Sequence, residues 1–97
     1  MDVIYRLQGV EFEWDEDKAH SNVEKHGVTF EEAAEAFFDP FHQEGDASVD
    51  NDLRVFVLGY SLSQCLLLVI YIERRERIRM ISARPATRVE RKLYEES

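Results

Sequence analysis

Apolar and acidic side chains alternate over residues 10–14 (Val-Glu-Phe-Glu-Trp), the period of a strand with one buried face, and so short a run suits a sheet edge. The period then changes. Asp15 is suited to an N-cap, and Glu16 and Asp17 bring negative charge to the first turn, where the helix dipole favours it. The helix so opened runs to about His26, and Gly27 is its left-handed stop. Thr29 and Glu32, three positions apart, read as a capping box for a second helix with an apolar stripe of Phe30, Ala33, Ala34 and Phe37. Asp39-Pro40 closes it.

The second half reads as sheet. Residues 43–50 are polar and fit either a strand or a loop, whereas 53–60 form a strand ended by residues 61–64. Residues 65–72 are nearly all apolar, as in a central strand covered on both faces. A charged turn at 73–76 leads into an alternating strand over 77–84, which Pro85 ends. Thr87 and Glu90 repeat the capping-box spacing and open a short helix over 88–95. The fold class is therefore α+β: an antiparallel sheet of three to four strands plus a short N-terminal strand, with two N-terminal helices and a short C-terminal helix packed on it.

Composition narrows the function classes. Ninety-seven residues, 44% apolar and 11% aromatic, predict one globular domain over 1–97 rather than a disordered chain. The longest apolar run, 65–72, is far short of the roughly 20 residues of a membrane span. A single cysteine and the lack of a basic-then-apolar start predict a cytoplasmic protein without disulfides. Charge is unevenly divided: the net of −8 comprises −12 over residues 1–73, +6 over 74–92 and −2 over the last five. An acidic whole argues against generic binding to phosphate backbones, but the basic segment keeps a local anion site open.

Three groups of residues could carry chemistry. Lys18, Asn22 and Lys25 lie at i, i+4 and i+7 on one face of the first helix, beside a stripe of Ala19, Val23 and His26 expected to face the sheet. Lys25 and His26 precede Gly27, which puts two proton-transfer or phosphate-contacting groups at a helix end; the alternative is that Lys25 only offsets the dipole there and His26 caps a carbonyl or packs in the core. Arg54 opens one strand, and Arg84 ends another on the face of Ser82 and Met80. Guanidinium forks suit phosphate, although outward charges such as Arg74, Arg75 and Arg77 also protect strand edges. The last helix carries Arg88, Arg91, Lys92 and Tyr94, with Val89 and Leu93 as its packing pair; a basic face with one ring can bind RNA by stacking, or can simply be solvated.

Other chemistries fail on spacing. His20, His26 and His42 make no zinc pattern, and one cysteine supplies at most one sulfur ligand. The stretch from Asp46 has Asn51 where a calcium loop needs its glycine and Val57 where it needs its glutamate. Cys65 opens an apolar strand and reads as core rather than nucleophile. There is no glycine loop to cradle phosphates.

Taken together, several segments resemble BrnT-type toxins. Phe12-Glu13-Trp14-Asp15, Lys18-Ala19, Asn22, Lys25-His26-Gly27-Val28 and Phe30-Glu31-Glu32-Ala33 are similar to their amino-terminal signature. The second half follows through Arg54, Gly59, Ser61, Tyr71, Glu73-Arg74, the run from Arg79 to Arg88, Glu90-Arg91 and Tyr94-Glu95. The resemblance covers about residues 10–95 and implies a RelE-like fold, a type II toxin that cleaves RNA without a metal or other cofactor, and a partner. That partner is a BrnA-like ribbon-helix-helix antitoxin, with DNA reached only indirectly through it and no membrane involved.

Residue types then suggest a mechanism in which the ribose 2′-hydroxyl attacks the adjacent phosphate. His26 or Lys25 would transfer protons, with His26 preferred because an imidazole titrates near neutrality. Arg54 and Arg84 would converge beside His26 and clamp the phosphate. Lys18, Arg79, Ser82, Arg88 and Tyr94 would position the RNA. Because a net charge of −8 repels RNA at long range, a second reading stays open: a catalytically degenerate module that docks an antitoxin-like partner through its basic patch and acts in operon autoregulation.

Overall fold

The computed structural model describes residues 1–96. Two strands open the chain, β1 (Asp2–Leu7) and β2 (Val10–Asp15), joined by a two-residue turn in which Gln8 and Gly9 both take positive φ, 50° and 82°. That geometry matches the right-handed strand twist and makes a tight hairpin. The helices α1 (Glu16–His26) and α2 (Phe30–Glu35) follow, then a 3₁₀ turn at Ala36–Phe38. β3 (Gln43–Asp46), β4 (Val55–Tyr60), β5 (Leu66–Arg74), β6 (Arg77–Pro85) and α3 (Arg88–Glu95) complete the order.

The six strands form one sheet in the order β1-β2-β6-β5-β4-β3. β3 settles the open reading of 43–50 as a strand, β1 adds an edge beyond the expected strand count, and the expectation of a purely antiparallel sheet is corrected. β2 runs parallel to β6, with Phe12 opposite Ile78 and Glu13 opposite Arg79. Every other pairing is antiparallel. A crossover through two helices and three strands separates the parallel partners, so local periodicity carries no trace of it.

Helix boundaries follow the predicted chemistry. The Asp15 side chain accepts from the Lys18 amide, and Gly27, at φ 69°, ends α1 by donating its amide to the Val23 carbonyl. Thr29 caps α2 through the Glu32 amide, but the Glu32 carboxylate does not return to Thr29; it accepts from the Ser61 and Ser63 hydroxyls and ties α2 to the β4–β5 turn. At α3 the capping box is complete between Thr87 and Glu90.

The core lies between the sheet and α1, α2 and the 3₁₀ turn. Phe12, Trp14, Phe30, Ala33, Ala34, Val57, Leu67, Val69, Tyr71, Met80 and Ala83 are buried there. Edge-to-face rings run through it, with Trp14 5.6 Å from Phe30 and Phe37 4.9 Å from Tyr71 between centroids.

The roll of α1 differs from expectation. Asn22, not Val23 or His26, points inward: its amide nitrogen donates to the carbonyls of Val28 and Ala83 at 2.9 and 2.8 Å, and its oxygen accepts from the Ala83 amide at 3.0 Å. The β2–β6 pairing reaches only as far as Arg79, so Asn22 supplies the paired bonds that a neighbouring strand would give Ala83.

Candidate active site

α3 packs against β4 through the Tyr60 and Tyr94 rings, 5.3 Å apart and nearly perpendicular. The Tyr94 hydroxyl donates to Asp39 at 2.6 Å, and the amides of Tyr60 and Phe41 donate to the same carboxylate, each at 2.9 Å. Burial and the Asp39 carboxylate push the Tyr94 hydroxyl up to about 12, so it stays a neutral donor. Gln43 adds a bond to the Leu93 carbonyl. The outer end of α3 is thus held by polar contacts, and its expected packing pair, Val89 and Leu93, is exposed at 77% and 48%.

The inner end of α3 is held by Arg84. Its Nη1 and Nη2 each lie 2.8 Å from one Glu90 oxygen, a two-pronged pairing in which Glu90 also accepts from the Thr87 amide. The hydrogen bond from Arg84 holds the Glu90 carboxyl below the usual glutamate value.

Between the end of α1 and α3 lies a cleft lined by His26, Gly27, Glu32, Cys65, Pro85 and Arg91, among others. His26 and Lys25 are exposed and carry no carboxylate partner among the described residues. Arg91 donates to the Tyr60 hydroxyl at 3.1 Å and meets no carboxylate there either, so its charge is not neutralised. Cys65 is exposed at the cleft wall, which corrects its reading as core: β5 starts at Leu66, and the turn before it, with Gln64 at φ 67°, leaves the thiol outside. Arg91 was visible to the sequence as part of a basic helix, but its position opposite His26 depends on how α3 docks.

The expected convergence of Arg54 and Arg84 on His26 does not occur. Arg84 lies opposite Leu68, which lies opposite Leu58, whereas Arg54 precedes the Val55–Tyr71 pair at the other end of β4. At ~3.3 Å per residue and ~4.8 Å per strand, their Cα atoms are about 16 Å apart. Arg54 closes the loop after β3, with its Nη2 2.8 Å from Asp52 and its backbone bonded to Ser48 and Ala47. The Arg84 fork is filled by Glu90, and its neighbour Pro85, rather than Arg84 itself, lines the cleft.

Arg79 is likewise committed. Its Nη1 lies 2.8 Å from Glu13 and 3.2 Å from Asp2. Burial raises the Glu13 carboxyl, but Arg79 and Arg74 outweigh it and hold it low. With Arg77 and Arg6 on Glu11, these side chains form an ion network over the β1–β2–β6 seam. Ser82 sits half-buried on β6 opposite Ile70, in the middle of the sheet. Lys18, Arg88 and Lys92 are exposed without carboxylate partners among the described residues. Pairing therefore divides the basic segment: the arginines of β5 and β6 are neutralised by acids, whereas Arg75 in their turn and Arg88, Arg91 and Lys92 on α3 meet no acid among the described residues, and of these Arg91 lines the cleft with His26. No group of three or more His, Cys, Asp or Glu among the described residues could hold a metal ion, and no helix there is long and apolar enough to cross a membrane.

Comparison with known proteins supplies the family. No curated protein matches the chain. The structure is similar to the crystal structure of the Brucella abortus ribonuclease toxin BrnT, with a TM-score of 0.53 and 25% sequence identity over 77% of this chain and 94% of that one. A family model described as the ribonuclease toxin, BrnT, of type II toxin-antitoxin systems matches residues 14–90, from the end of β2 into α3. The chain belongs to the BrnT family of ribonuclease toxins of type II toxin–antitoxin systems.

Proposed function

We propose that the protein is an endoribonuclease whose scissile phosphate sits in the cleft between the end of α1 and α3. The observation that carries this reading is that His26 and the uncompensated Arg91 both line that one cleft. The carbonyl end of α1 repels an anion, so attraction falls to Lys25 and Arg91, while His26 acts as a neutral imidazole. The 2′-hydroxyl gives its proton to the His26 imidazole as its oxygen bonds to phosphorus. The bond from phosphorus to the 5′-oxygen breaks, and that oxygen takes a proton from Lys25 or water. The products are a 2′,3′-cyclic phosphate and a free 5′-hydroxyl. Arg91, rather than Arg54 or Arg84, stabilises the charge that builds on the phosphoryl oxygens. In this reading Arg84 positions α3, and Lys18, Arg88 and Lys92 guide the RNA strand electrostatically.

No step needs a metal ion, since the chain's own cations supply the charge. The reaction would take place in the cytoplasm, and the scaffold would be of RelE type. The neutralising partner would be a BrnA-like ribbon-helix-helix antitoxin that covers the cleft with an acidic or amphipathic segment and alone contacts DNA. The filled Arg84 fork favours the second reading, a degenerate module that only docks such a partner. Induced expression separates the two. Growth arrest with RNA fragments bearing 5′-hydroxyl ends, relieved by the neighbouring gene, supports the nuclease; healthy growth with intact RNA and tight partner binding supports the module.

A further inference from the structure

The outer edge of the sheet is a candidate contact between two copies of the chain. Among the described residues β1 pairs with β2 alone, so the backbone groups along its other side have no strand neighbour there. Both ends of the strand are held: the Glu16 amide donates to the Met1 carbonyl at 3.0 Å, and a two-residue turn follows Leu7. Val3, Tyr5 and Leu7 turn toward the core and pack against it. By alternation, Asp2, Ile4 and Arg6 share the opposite face, and Ile4 is 50% exposed there.

Charges on an edge strand ordinarily keep a second strand away. Here the two charges are opposite in sign and equidistant from Ile4. If Ile4 of one copy lies opposite Ile4 of another in antiparallel register, Asp2 of each faces Arg6 of the other, and Val3 faces Tyr5. A shift by two residues in either direction puts Ile4 opposite a charge and leaves the ion pairs unmade. The intended register is thus set by charge as well as by the apolar centre. Asp2 already meets Arg79, and Arg6 meets Glu11, within the chain. Arg6 is 75% exposed and Asp2 is 50% exposed, so both heads can reach a second partner.

We propose that the protein self-associates through β1, Ile4 against Ile4, joining two six-stranded sheets across a two-fold axis perpendicular to them. α1 and α2 of both copies then lie on one side of the joined sheet and the two α3 helices, which are bound to Arg84 and Tyr60, on the other. The contact is independent of RNA cleavage and lies outside the segment matched by the family model.

Sedimentation velocity over a wide concentration range tests this with two charge-reversal variants. Arg6→Asp makes both edge charges acidic, and Asp2→Lys makes both basic. The wild type should show a dimer fraction that rises with concentration. Each variant alone should dimerise at least tenfold more weakly, and an equimolar mixture should recover association as a heterodimer. A wild type that stays monomeric throughout, a dimer indifferent to the reversals, or a mixture that fails to recover would each overturn the proposal. As a second readout, Ile4→Cys in a Cys65→Ser background should oxidise to a covalent dimer, because only position 4 faces itself; its failure to cross-link would count equally against the register.

Discussion

Arg84 and Glu90 meet as two forks, with both nitrogen–oxygen distances at 2.8 Å. The pair ties the last residues of β6 to the first turn of α3, because Glu90 also completes the capping box with Thr87. A guanidinium bound in this way is lost to phosphate binding and gained as a brace. The position of Arg91, one residue along α3, depends on that brace.

Glu90 should therefore give a pH signature. Its folded pKa is depressed below the ordinary value of 4.5, so the stability it adds is present above that value and is lost as pH falls through the folded one. Glu90→Gln should cost about 1 kcal/mol near neutral pH, measured by urea unfolding. The difference from wild type should shrink as the pH is lowered beyond the ordinary glutamate value. A gap that stays constant down to strongly acidic pH would mean that the ion pair contributes nothing.

Asn22 makes a sharper demand on stability. It is 5% exposed, and its side chain satisfies three backbone groups. Asn22→Ala leaves those groups buried without partners and should cost about 2–4 kcal/mol. Asn22→Asp keeps the acceptor but loses both donated bonds, so it should be destabilising as well. A urea midpoint for either variant equal to wild type would show that α1 is not pinned to β6 through this amide.

Glu13 is 6% exposed beneath Arg74, Arg77 and Arg79. Glu13→Ala removes the acceptor they share, but Arg79 keeps Asp2, Arg77 keeps Glu11 and Arg74 is half exposed, so the change should lose about 2 kcal/mol. Arg6→Ala, at a surface pair exposed at 75% and 30%, should change thermal unfolding by no more than about 1 kcal/mol. Equal effects of the two changes would mean that burial does not govern this network.

Much of the fold was legible because its signals are local. The caps at Asp15, Thr29 and Thr87, the stop at Gly27 and the apolar strand after Cys65 all follow from neighbouring residues. β1 carries a weaker signal, since Val3, Tyr5 and Leu7 alternate but Ile4 interrupts the pattern with an apolar residue on the outer face. The turn between β5 and β6 is two residues, tighter than the charged stretch 73–76 suggests: Arg75 and Glu76 both take positive φ, 54° and 65°, without the glycine or asparagine that announces such a turn. The parallel β2–β6 seam was invisible for a different reason. Glu13 and Arg79 are adjacent only through tertiary structure. The same gap explains the site: sequence showed which residues carry charge, but only the pairing of strands showed which charges are spent. Arg79, Arg84 and Arg54 are matched to acids that lie 66, 6 and 2 positions away.

Single-turnover cleavage of a labelled RNA by purified wild type, His26→Ala, Arg91→Ala and Arg54→Ala tests the placement of the site most directly. With His26 as proton acceptor and Arg91 as the charge stabiliser, each of the first two variants should lose about 100-fold or more in rate. Their thermal unfolding should stay near that of wild type, and Arg54→Ala should cut RNA at the wild-type rate if it remains folded. Full activity in His26→Ala and Arg91→Ala, with loss in a folded Arg54→Ala, would put the chemistry at the opposite end of the sheet and contradict the account.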